Sequence, residues 1–290
     1  MRSAVLALGL LACGGSDDPG ERPRVFGGDR EVELQAPDVL DEGREYPLVL
    51  VLHGYGANGL VQTGYFQLAD LPENNEALLL APDGTVDAGG RHFWNADPAC
   101  CDFGGTGVDD VGYLSSVLED VLDAWPVDRS QVYVVGHSNG GFMGYRMACE
   151  RADLITATAI LAGNTSQPAS ACTPSEPTSM LVLHGTADET VPYTGVQPGG
   201  GPLQQTSAGA VESHARWSQY DGCGPSEVTG SIDLDKGDGT GTETEVTVAT
   251  GCPGSIGVEL WTHQGVGHLP AYNNAFGSTL WTWLTDHARL

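Results

Sequence analysis

Positive charge is scarce in this sequence of 290 residues, where 12 Lys and Arg residues stand against 38 Asp and Glu residues. The formal net charge of −26 gives a surface that repels phosphate backbones and anionic lipid headgroups, which argues against nucleic-acid binding. Apolar runs of transmembrane length are missing, and no internal repeat is visible. Hydrophobic residues still make up 40% of the chain, enough to bury the core of a globular protein.

Metal-binding motifs are also missing. The cysteines form no C-x-x-C pair and no neighbouring pair of histidines joins them, so we expect no metal site. The stretch from Asp233 to Asp238 resembles a calcium-binding loop, but Asp238 stands at the position where such a loop requires glycine. We therefore expect a turn there.

The first fifteen residues read as a targeting segment. A single Arg2 precedes a short apolar run that ends in Leu-Leu-Ala-Cys13, which resembles the lipobox of bacterial lipoproteins. We expect residues 1–15 to be a signal peptide, residues 16–24 a polar tether and residues 25–290 a single catalytic domain. The resemblance makes Cys13 the lipid-bearing residue of a cell-surface protein, and ordinary secretion is the alternative.

Six cysteines are left when Cys13 is set aside, an even number that agrees with export and with disulfide bonds. We expect a bond between Cys223 and Cys252, the two ends of a polar excursion. A disulfide bond between the adjacent residues Cys100 and Cys101 would be strained. We therefore expect one of these two residues to bond to Cys149 or Cys172 instead.

The sequence centres on residues 131–150, QVYVVGHSNGGFMGYRMACE. A β-branched run predicts a buried strand, and a helical pattern follows the glycine-rich turn that carries Ser138. A strand, a tight turn with serine at its tip and a helix form the layout of a nucleophile elbow. The glycines at 136 and 140 suit a turn too sharp for side chains.

Strand and helix patterns alternate along the rest of the chain. This alternation predicts an α/β fold whose mostly parallel central sheet has helices on both faces. The expected strands lie at 31–35, 46–53, 77–82, 132–135, 154–161, 179–184, 243–249 and 257–263, and the expected helices at 60–69, 108–124, 142–150, 205–220 and 278–290.

Two further groups complete a catalytic triad in the chain order serine, acid, histidine. Asp188 follows a strand, where its carboxylate can hold a histidine ring in the required tautomer. Glu189 is adjacent and could compete for that role. His268 lies in a flexible turn after the last strand and is the best candidate for the general base. We therefore expect Ser138, Asp188 and His268 to form the catalytic triad.

An oxyanion hole requires two backbone N–H groups aimed at the developing charge. We expect one from Asn139, directly after the nucleophile, and one from Tyr55 in the turn after the second strand. The Tyr55 ring either clamps the acyl group or merely packs. The long polar loop 83–107 holds Trp94, a second expected substrate contact, since loops of this length are often functional.

These motifs together resemble the polyhydroxybutyrate depolymerase and feruloyl esterase group of α/β-hydrolases. The resemblance rests on LHGYGAN at 52–58, WNADPACC at 94–101, VDDVGYL at 108–114, GHSNGG at 136–141, HGTADETVPY at 184–193 and GVGH at 265–268. It implies an α/β-hydrolase fold and a secreted serine esterase without metal or other cofactor.

The sequence therefore predicts a carboxylic-ester hydrolase acting on polyester oligomers or polysaccharide-linked esters through an acyl-enzyme intermediate. Two other functions remain open at this point. One is a serine peptidase with the same triad, and the other is a surface binding lipoprotein without catalysis. Membrane contact is expected only through a lipid at Cys13.

Overall fold

The computed structural model of the protein describes residues 22–74, 76–196, 206–234, 236 and 243–289. The predicted signal peptide with Cys13 and most of the predicted tether lie outside the described residues, as does half of the calcium-like stretch, including Asp238. No helix in the described part of the chain is both long enough and apolar enough to cross a bilayer.

The described chain forms twelve strands and five α-helices. The strands are β1 (Val25–Phe26), β2 (Val32–Glu33), β3 (Tyr46–Leu52), β4 (Leu78–Leu80), β5 (Thr85–Val86), β6 (His92–Phe93), β7 (Val127–His137), β8 (Ala157–Leu161), β9 (Ser179–Gly185), β10 (Ser226–Ile232), β11 (Thr244–Ala249) and β12 (Val258–His263). The helices are α1 (Gly59–Tyr65), α2 (Asp110–Ala124), α3 (Asn139–Glu150), α4 (Ala210–Tyr220) and α5 (Phe276–Asp286).

Eight strands form one central sheet in the order β10-β11-β12-β9-β8-β7-β3-β4. The six strands from β12 to β4 run parallel, and β10 and β11 add an antiparallel edge. In a parallel sheet the carboxyl ends of all strands meet at one edge, where ligands bind. The predicted fold class, a mostly parallel sheet flanked by helices, is confirmed.

Alternating side chains of the central strands feed two separate cores. In β3, Leu48 and Leu50 pack on one face with α2 and α3, whereas Val49 and Val51 pack on the other with α1 and α5. All seven residues of β3 are buried. A strand covered on both faces must be apolar throughout, which is why the sequence predicts this strand.

Several elements differ from their predicted extent. The predicted excursion between Gly224 and Gly251 forms the hairpin β10–β11, which joins the main sheet. Strand β7 starts at Val127, five residues before the predicted run, and the helix predicted from residue 205 starts at Ala210. The loop 83–107 contains a small hairpin, β5–β6.

Three disulfide bonds occur in the described chain. The expected bond between Cys223 and Cys252 is present, with Cα atoms 4.0 Å apart. The expected link from the adjacent pair to a distant cysteine is wrong, because Cys149 pairs with Cys172 across 5.7 Å. Cys100 therefore bonds to its neighbour Cys101.

The local chain path explains this pairing. The backbone of Asp97 and Cys100 is paired in both directions, at 2.8 Å each, which folds the loop into a tight turn. Cys149 lies near the end of α3, and Cys172 follows a short 3₁₀ turn, Ala169–Ala171, that packs beside it. Each cysteine thus bonds to the partner that its own segment brings within reach.

Candidate active site

Ser138 stands at the tip of a strained turn between β7 and α3. Its backbone adopts φ 54° and ψ −118°, a left-handed conformation that L-residues rarely adopt. A Cβ atom at Gly140 would collide with the carbonyl oxygen of Leu52, and one at Gly136 would collide with Gly140. The small residues around Ser138 are therefore required by close approach of the backbone, as the elbow pattern predicts.

The structure brings the three predicted triad residues together. The Ser138 Oγ lies 2.9 Å from His268 Nε2, and His268 Nδ1 lies 2.7 Å from Asp188 Oδ2. Because Asp188 accepts the Nδ1–H of the neutral ring, Nε2 is free to accept the serine proton. This arrangement matches the geometry of a serine nucleophile with its base and its orienting acid.

Hydrogen bonds hold the loop that carries Asp188 against the loop that carries His268. Ala187 N–H donates to Val266 O at 3.0 Å, and Thr186 N–H donates to His263 O at 3.0 Å. Gly265 N–H donates to the Thr186 hydroxyl at 2.8 Å. The positions of Asp188 and His268 are thus fixed by the loops that follow β9 and β12.

The Asp188 carboxylate keeps its charge despite its burial. Burial alone raises the pKa of Asp188, but hydrogen bonds from His184 and His268 outweigh it, so the pKa lies well below its ordinary value. Its Oδ1 accepts the N–H groups of Thr190 and Val191 at 2.8 and 2.9 Å. Glu189 is exposed and makes no hydrogen bond to His268 among the described residues, so Asp188 is the carboxylate that contacts the His268 ring.

His137 packs beside His268 and was not predicted to take part in the site. Its Nε2–H donates to the His268 carbonyl at 3.2 Å, and the two rings are 4.9 Å apart. Burial, together with the nearby His268, lowers the pKa of His137 to about 4, so the ring is neutral near pH 7. Only the tertiary packing reveals this contact.

The two predicted oxyanion donors lie at the ends of neighbouring strands. Asn139 is the first residue of α3, so its N–H has no acceptor within the helix. Tyr55 follows β3, and its N–H makes no hydrogen bond to the described residues. The β3 and β7 strands pair as far as Leu52 and Gly136, which places these two turns side by side.

Trp94, the second predicted substrate contact, is buried inside the protein. Its side chain is 0% exposed, and its indole N–H donates to the His53 carbonyl at 3.1 Å. The loop 83–107 folds back under the elbow because Asn139 binds the Trp94 backbone from both sides. The sequence does not indicate this burial, because Trp94 lies in a polar loop.

Tyr55 is held by an ion pair at the rim of the site. The Tyr55 hydroxyl donates to Asp87, which also pairs with Arg91 at 3.0 Å. The Arg91 guanidinium lies 4.9 Å above the Tyr55 ring, and the exposed Phe103 packs edge-on at 5.3 Å. Hydrogen bonds from Tyr55 and Arg91 lower the pKa of Asp87 below its ordinary value. The ring is thus fixed in place.

Similarity to known proteins connects this geometry to a group of esterases. No known family profile matches the chain. The chain is 32% identical over 162 residues to NocK, a candidate esterase of Nocardia uniformis subsp. tsuyamanensis, covering 54% of this chain and 44% of that protein. It is 28% identical over 247 residues to feruloyl esterase B of Piromyces equi, covering 82% of this chain and 42% of that protein.

A shorter relative is matched along more of its length. Feruloyl esterase C of Emericella nidulans is 29% identical over 216 residues, which cover 67% of this chain and 73% of that protein. The chain therefore spans less than half the length of NocK and of the Piromyces enzyme, but most of the Emericella enzyme. The predicted resemblance to a group that includes feruloyl esterases is confirmed.

Solved structures support the fold. The acetyl xylan esterase from Aspergillus awamori superposes with a TM-score of 0.57 at 17% identity, covering 93% of this chain and 96% of that one. Esterase PE8 superposes with a TM-score of 0.54 at 16% identity, covering 91% and 100%. At these identities the likeness concerns the fold alone, which is that of the α/β-hydrolases.

Proposed function

We propose that this relative of the feruloyl esterases, with its α/β-hydrolase fold, is a serine carboxylic-ester hydrolase that acts through an acyl-enzyme intermediate. The proposal rests on one observation above all, the unbroken chain of hydrogen bonds from Ser138 through His268 to Asp188 at a strained elbow. A binding protein gains nothing from this strain, whereas a nucleophile gains exposure and alignment.

The first half of the reaction transfers the acyl group to the enzyme. Ser138 Oγ attacks the ester carbonyl while His268 Nε2 takes the hydroxyl proton, and the carbonyl oxygen becomes an oxyanion. The N–H groups of Tyr55 and Asn139 stabilise that charge. Collapse of the intermediate breaks the bond to the alcohol, which leaves with the proton from His268.

The second half releases the acid. A water molecule gives a proton to His268 and attacks the acyl-enzyme carbonyl, forming a second oxyanion in the same place. The Ser138 oxygen then leaves and recovers the proton from His268. Asp188 stays ionised throughout, since its depressed pKa favours the carboxylate, and it stabilises the imidazolium in both halves.

The substrates that we propose are esters of polysaccharides or short polyester oligomers. The relatives named feruloyl esterase support an ester of an aromatic acid, and the ring pair of Tyr55 and Phe103 at the rim offers an apolar surface to such a group. Aromatic rings gain stability from stacking contacts of this kind.

The test compares the wild-type protein with Ser138→Ala and Ser115→Ala. Ser115 is a buried serine in α2, outside the site, and serves as the matched control. The panel contains p-nitrophenyl acetate and butyrate, methyl ferulate, 3-hydroxybutyrate oligomers and the p-nitroanilide of a matched acid. We expect ester hydrolysis by the wild type and by Ser115→Ala, and none above background by Ser138→Ala.

A serine-directed phosphonate provides the second measurement. We expect a mass increase of one adduct on the wild type, located at Ser138 by peptide mapping, and no adduct on Ser138→Ala. Faster cleavage of the anilide than of the ester would make the protein a peptidase. An unlabelled and inactive wild type would make it a binding protein.

We further propose that the protein is exported and carries a lipid on Cys13. Three disulfide bonds in the described chain fit an oxidising compartment. In a bacterial host, we expect the wild type in the membrane fraction and Cys13→Ser outside it. Equal distribution of the two proteins would leave ordinary secretion as the route.

A further inference from the structure

Trp94 connects the two turns that supply the proposed oxyanion donors. We infer that Trp94 is a positioning residue that fixes the separation of the Tyr55 N–H and the Asn139 N–H. The inference rests on the proposed function, because it concerns the charge that forms during ester hydrolysis. Two independent sets of hydrogen bonds, one on each side of Trp94, carry it.

The first set joins Trp94 to the elbow. The Trp94 N–H donates to Asn139 Oδ1 at 2.7 Å, and Asn139 Nδ2 donates to the Trp94 carbonyl at 2.9 Å. The Asn139 side chain is 0% exposed, so these bonds do not compete with solvent. These two hydrogen bonds fix Asn139, whose own backbone N–H is the first oxyanion donor.

The second set joins Trp94 to the turn after β3. The indole N–H donates to the His53 carbonyl at 3.1 Å, two residues before Tyr55. The His53 ring, 5.1 Å from the indole, is itself fixed: its Nδ1–H donates to Gly54 O at 2.8 Å, and its Nε2 accepts the Gly84 N–H at 2.9 Å. The turn that carries the second donor is therefore tied to Trp94.

Trp94 is itself held in place by an ion pair whose carboxylate is buried. Asn95 N–H, in the next residue, donates to Asp110 Oδ2 at 2.7 Å, and Asp110 pairs with Arg30 at 2.6 Å. The Arg30 guanidinium lies 5.6 Å from the Trp94 ring. Asp110 is 0% exposed and cannot exchange these partners for water without opening the core.

Rigid donors matter only when charge develops. A donor displaced by a fraction of an ångström still allows the substrate to bind, but it stabilises the oxyanion less, so the loss appears in kcat and not in KM. Trp94 is buried, and among the described residues it makes no hydrogen bond to Ser138, Asp188 or His268. It differs from the triad in acting through Tyr55 and Asn139.

The experiment compares Trp94→Phe with Trp125→Phe. Both tryptophans are buried and both indoles donate to a backbone carbonyl, but Trp125 donates to Pro23 O at 2.7 Å, far from the site. For each protein, kcat and KM are measured on p-nitrophenyl butyrate. The inhibition constant of an alkyl trifluoromethyl ketone is measured as well, since Ser138 converts it to an oxyanion.

We expect Trp94→Phe to lower kcat about tenfold, less than the 10² to 10³ lost when a donor is removed, with KM within about twofold. The inhibition constant of the ketone should rise by the same factor as kcat falls, and Trp125→Phe should match the wild type in all three constants. A kcat for Trp94→Phe within twofold of that of Trp125→Phe overturns the inference. An equal loss in both variants also overturns it, because that loss reports general destabilisation.

A second variant covers the case in which Trp94→Phe does not fold. Asn139→Ala retains the oxyanion N–H but removes both bonds to the Trp94 backbone, so kcat and ketone affinity should again fall together with KM unchanged. Unaltered kinetics of Asn139→Ala contradict the inference. If the wild type and Trp125→Phe hydrolyse no ester at all, the proposed function itself has failed. An active wild type with an unaffected Trp94→Phe would instead overturn only the inference about Trp94.

Discussion

Asp188 divides its two carboxylate oxygens between the fold and the site. One oxygen accepts two backbone N–H groups, and the other faces His268 Nδ1 at 2.7 Å. Asp188→Asn keeps the shape but favours the wrong tautomer of His268, so we expect kcat to fall about 10³- to 10⁴-fold. Steady-state kinetics on p-nitrophenyl butyrate provide the measurement.

Glu189→Gln is the matched control for Asp188→Asn. This neighbouring carboxylate is exposed, and we expect its removal to change kcat less than twofold. A large loss in Glu189→Gln together with a small one in Asp188→Asn would assign the acid to Glu189.

Asp221 is a buried carboxyl group that the proposed mechanism does not use. Burial raises its pKa to about 7, although its Oδ1 accepts the Thr178 N–H at 2.9 Å. The unfolded chain releases this proton near pH 4, whereas the folded chain holds it up to about pH 7. The stability due to the protonated group is therefore lost as pH rises through this window, on the order of 2 to 4 kcal/mol in all.

We expect Asp221→Asn to gain stability over the wild type as pH rises. The amide keeps the acceptor for Thr178 and never ionises, so its Tm should exceed that of the wild type at pH 8 by more than at pH 5. Thermal melts monitored by circular dichroism at the two pH values provide the measurement. A Tm difference that does not change with pH would contradict the raised pKa of Asp221.

Residues with a defined place in a short motif could be predicted from the sequence. Ser138 and its flanking glycines follow from local backbone geometry, and Asp188 and His268 follow from their positions after strands. The contacts of Trp94 and His137 could not be predicted, because both depend on which distant segment covers the side chain.

At the scale of whole elements, replacing glycine by alanine should have opposite effects on stability in α1 and α3. Gly140, in the first turn of α3, touches the end of β3, so Gly140→Ala should displace the elbow. We expect a loss of at least about 2 kcal/mol in the free energy of unfolding, together with most of the activity, because the clash is with backbone. Urea unfolding and ester hydrolysis are the measurements.

Gly64→Ala is the corresponding control in α1. A Cβ atom at Gly64 meets nothing within 4 Å, so alanine should stabilise this helix by about 0.5 to 1 kcal/mol. If Gly64→Ala lowered the free energy of unfolding, or if Gly140→Ala left it unchanged, crowding of the backbone would not determine the effect of these substitutions.

The disulfide between Cys223 and Cys252 closes a stretch of 29 residues at the edge of the sheet opposite Ser138. Chain-entropy arguments give about 3 to 4 kcal/mol for a closed loop of this length. We expect the double variant Cys223→Ser/Cys252→Ser to melt at a lower temperature while kcat at 25 °C is retained. A loss of kcat in the folded double variant would indicate that the hairpin β10–β11 supports the site.

Buried apolar strands could be predicted to within a few residues, whereas amphipathic or short ones could not. Strand β3 is apolar throughout because helices cover both of its faces. Strand β10 is almost entirely exposed, and the β5 and β6 strands have two residues each, so no periodic pattern marks them. Strand β10 forms a hairpin with β11, and β5 forms one with β6. That pairing requires no buried apolar face in β10 and only two residues per strand in β5 and β6.

For the molecule as a whole, an acidic composition does not imply stability in acid. Burial lowers the pKa of four histidines, and the pKa of His137 and His263 falls to about 4. The unfolded chain binds protons on these rings near pH 6.5, so stability is present above that pH and is lost as pH falls towards 4. Each of the two most shifted rings removes about 2 kcal/mol at pH 5.

We therefore expect the free energy of unfolding to fall by a few kcal/mol between pH 7 and pH 5. Asp221 acts in the opposite direction over this range, so the fall should be steeper in Asp221→Asn than in the wild type. Urea titrations of both proteins at the two pH values give the comparison. A wild type that gains stability towards pH 5 would contradict the dominance of the buried histidines.

The start of the described chain has a practical consequence for handling the protein on a solid support. Arg22 donates to the Ala124 carbonyl at 2.6 Å, and Pro23 accepts the Trp125 indole N–H at 2.7 Å, just before β7 begins. Ser138 follows the other end of this strand, which pairs with β3 from Tyr46 to Leu52 and therefore spans about 20 Å. A bead or film coupled ahead of Arg22 would thus hold each molecule with its catalytic edge turned outward, open to substrates too large to diffuse into a pore.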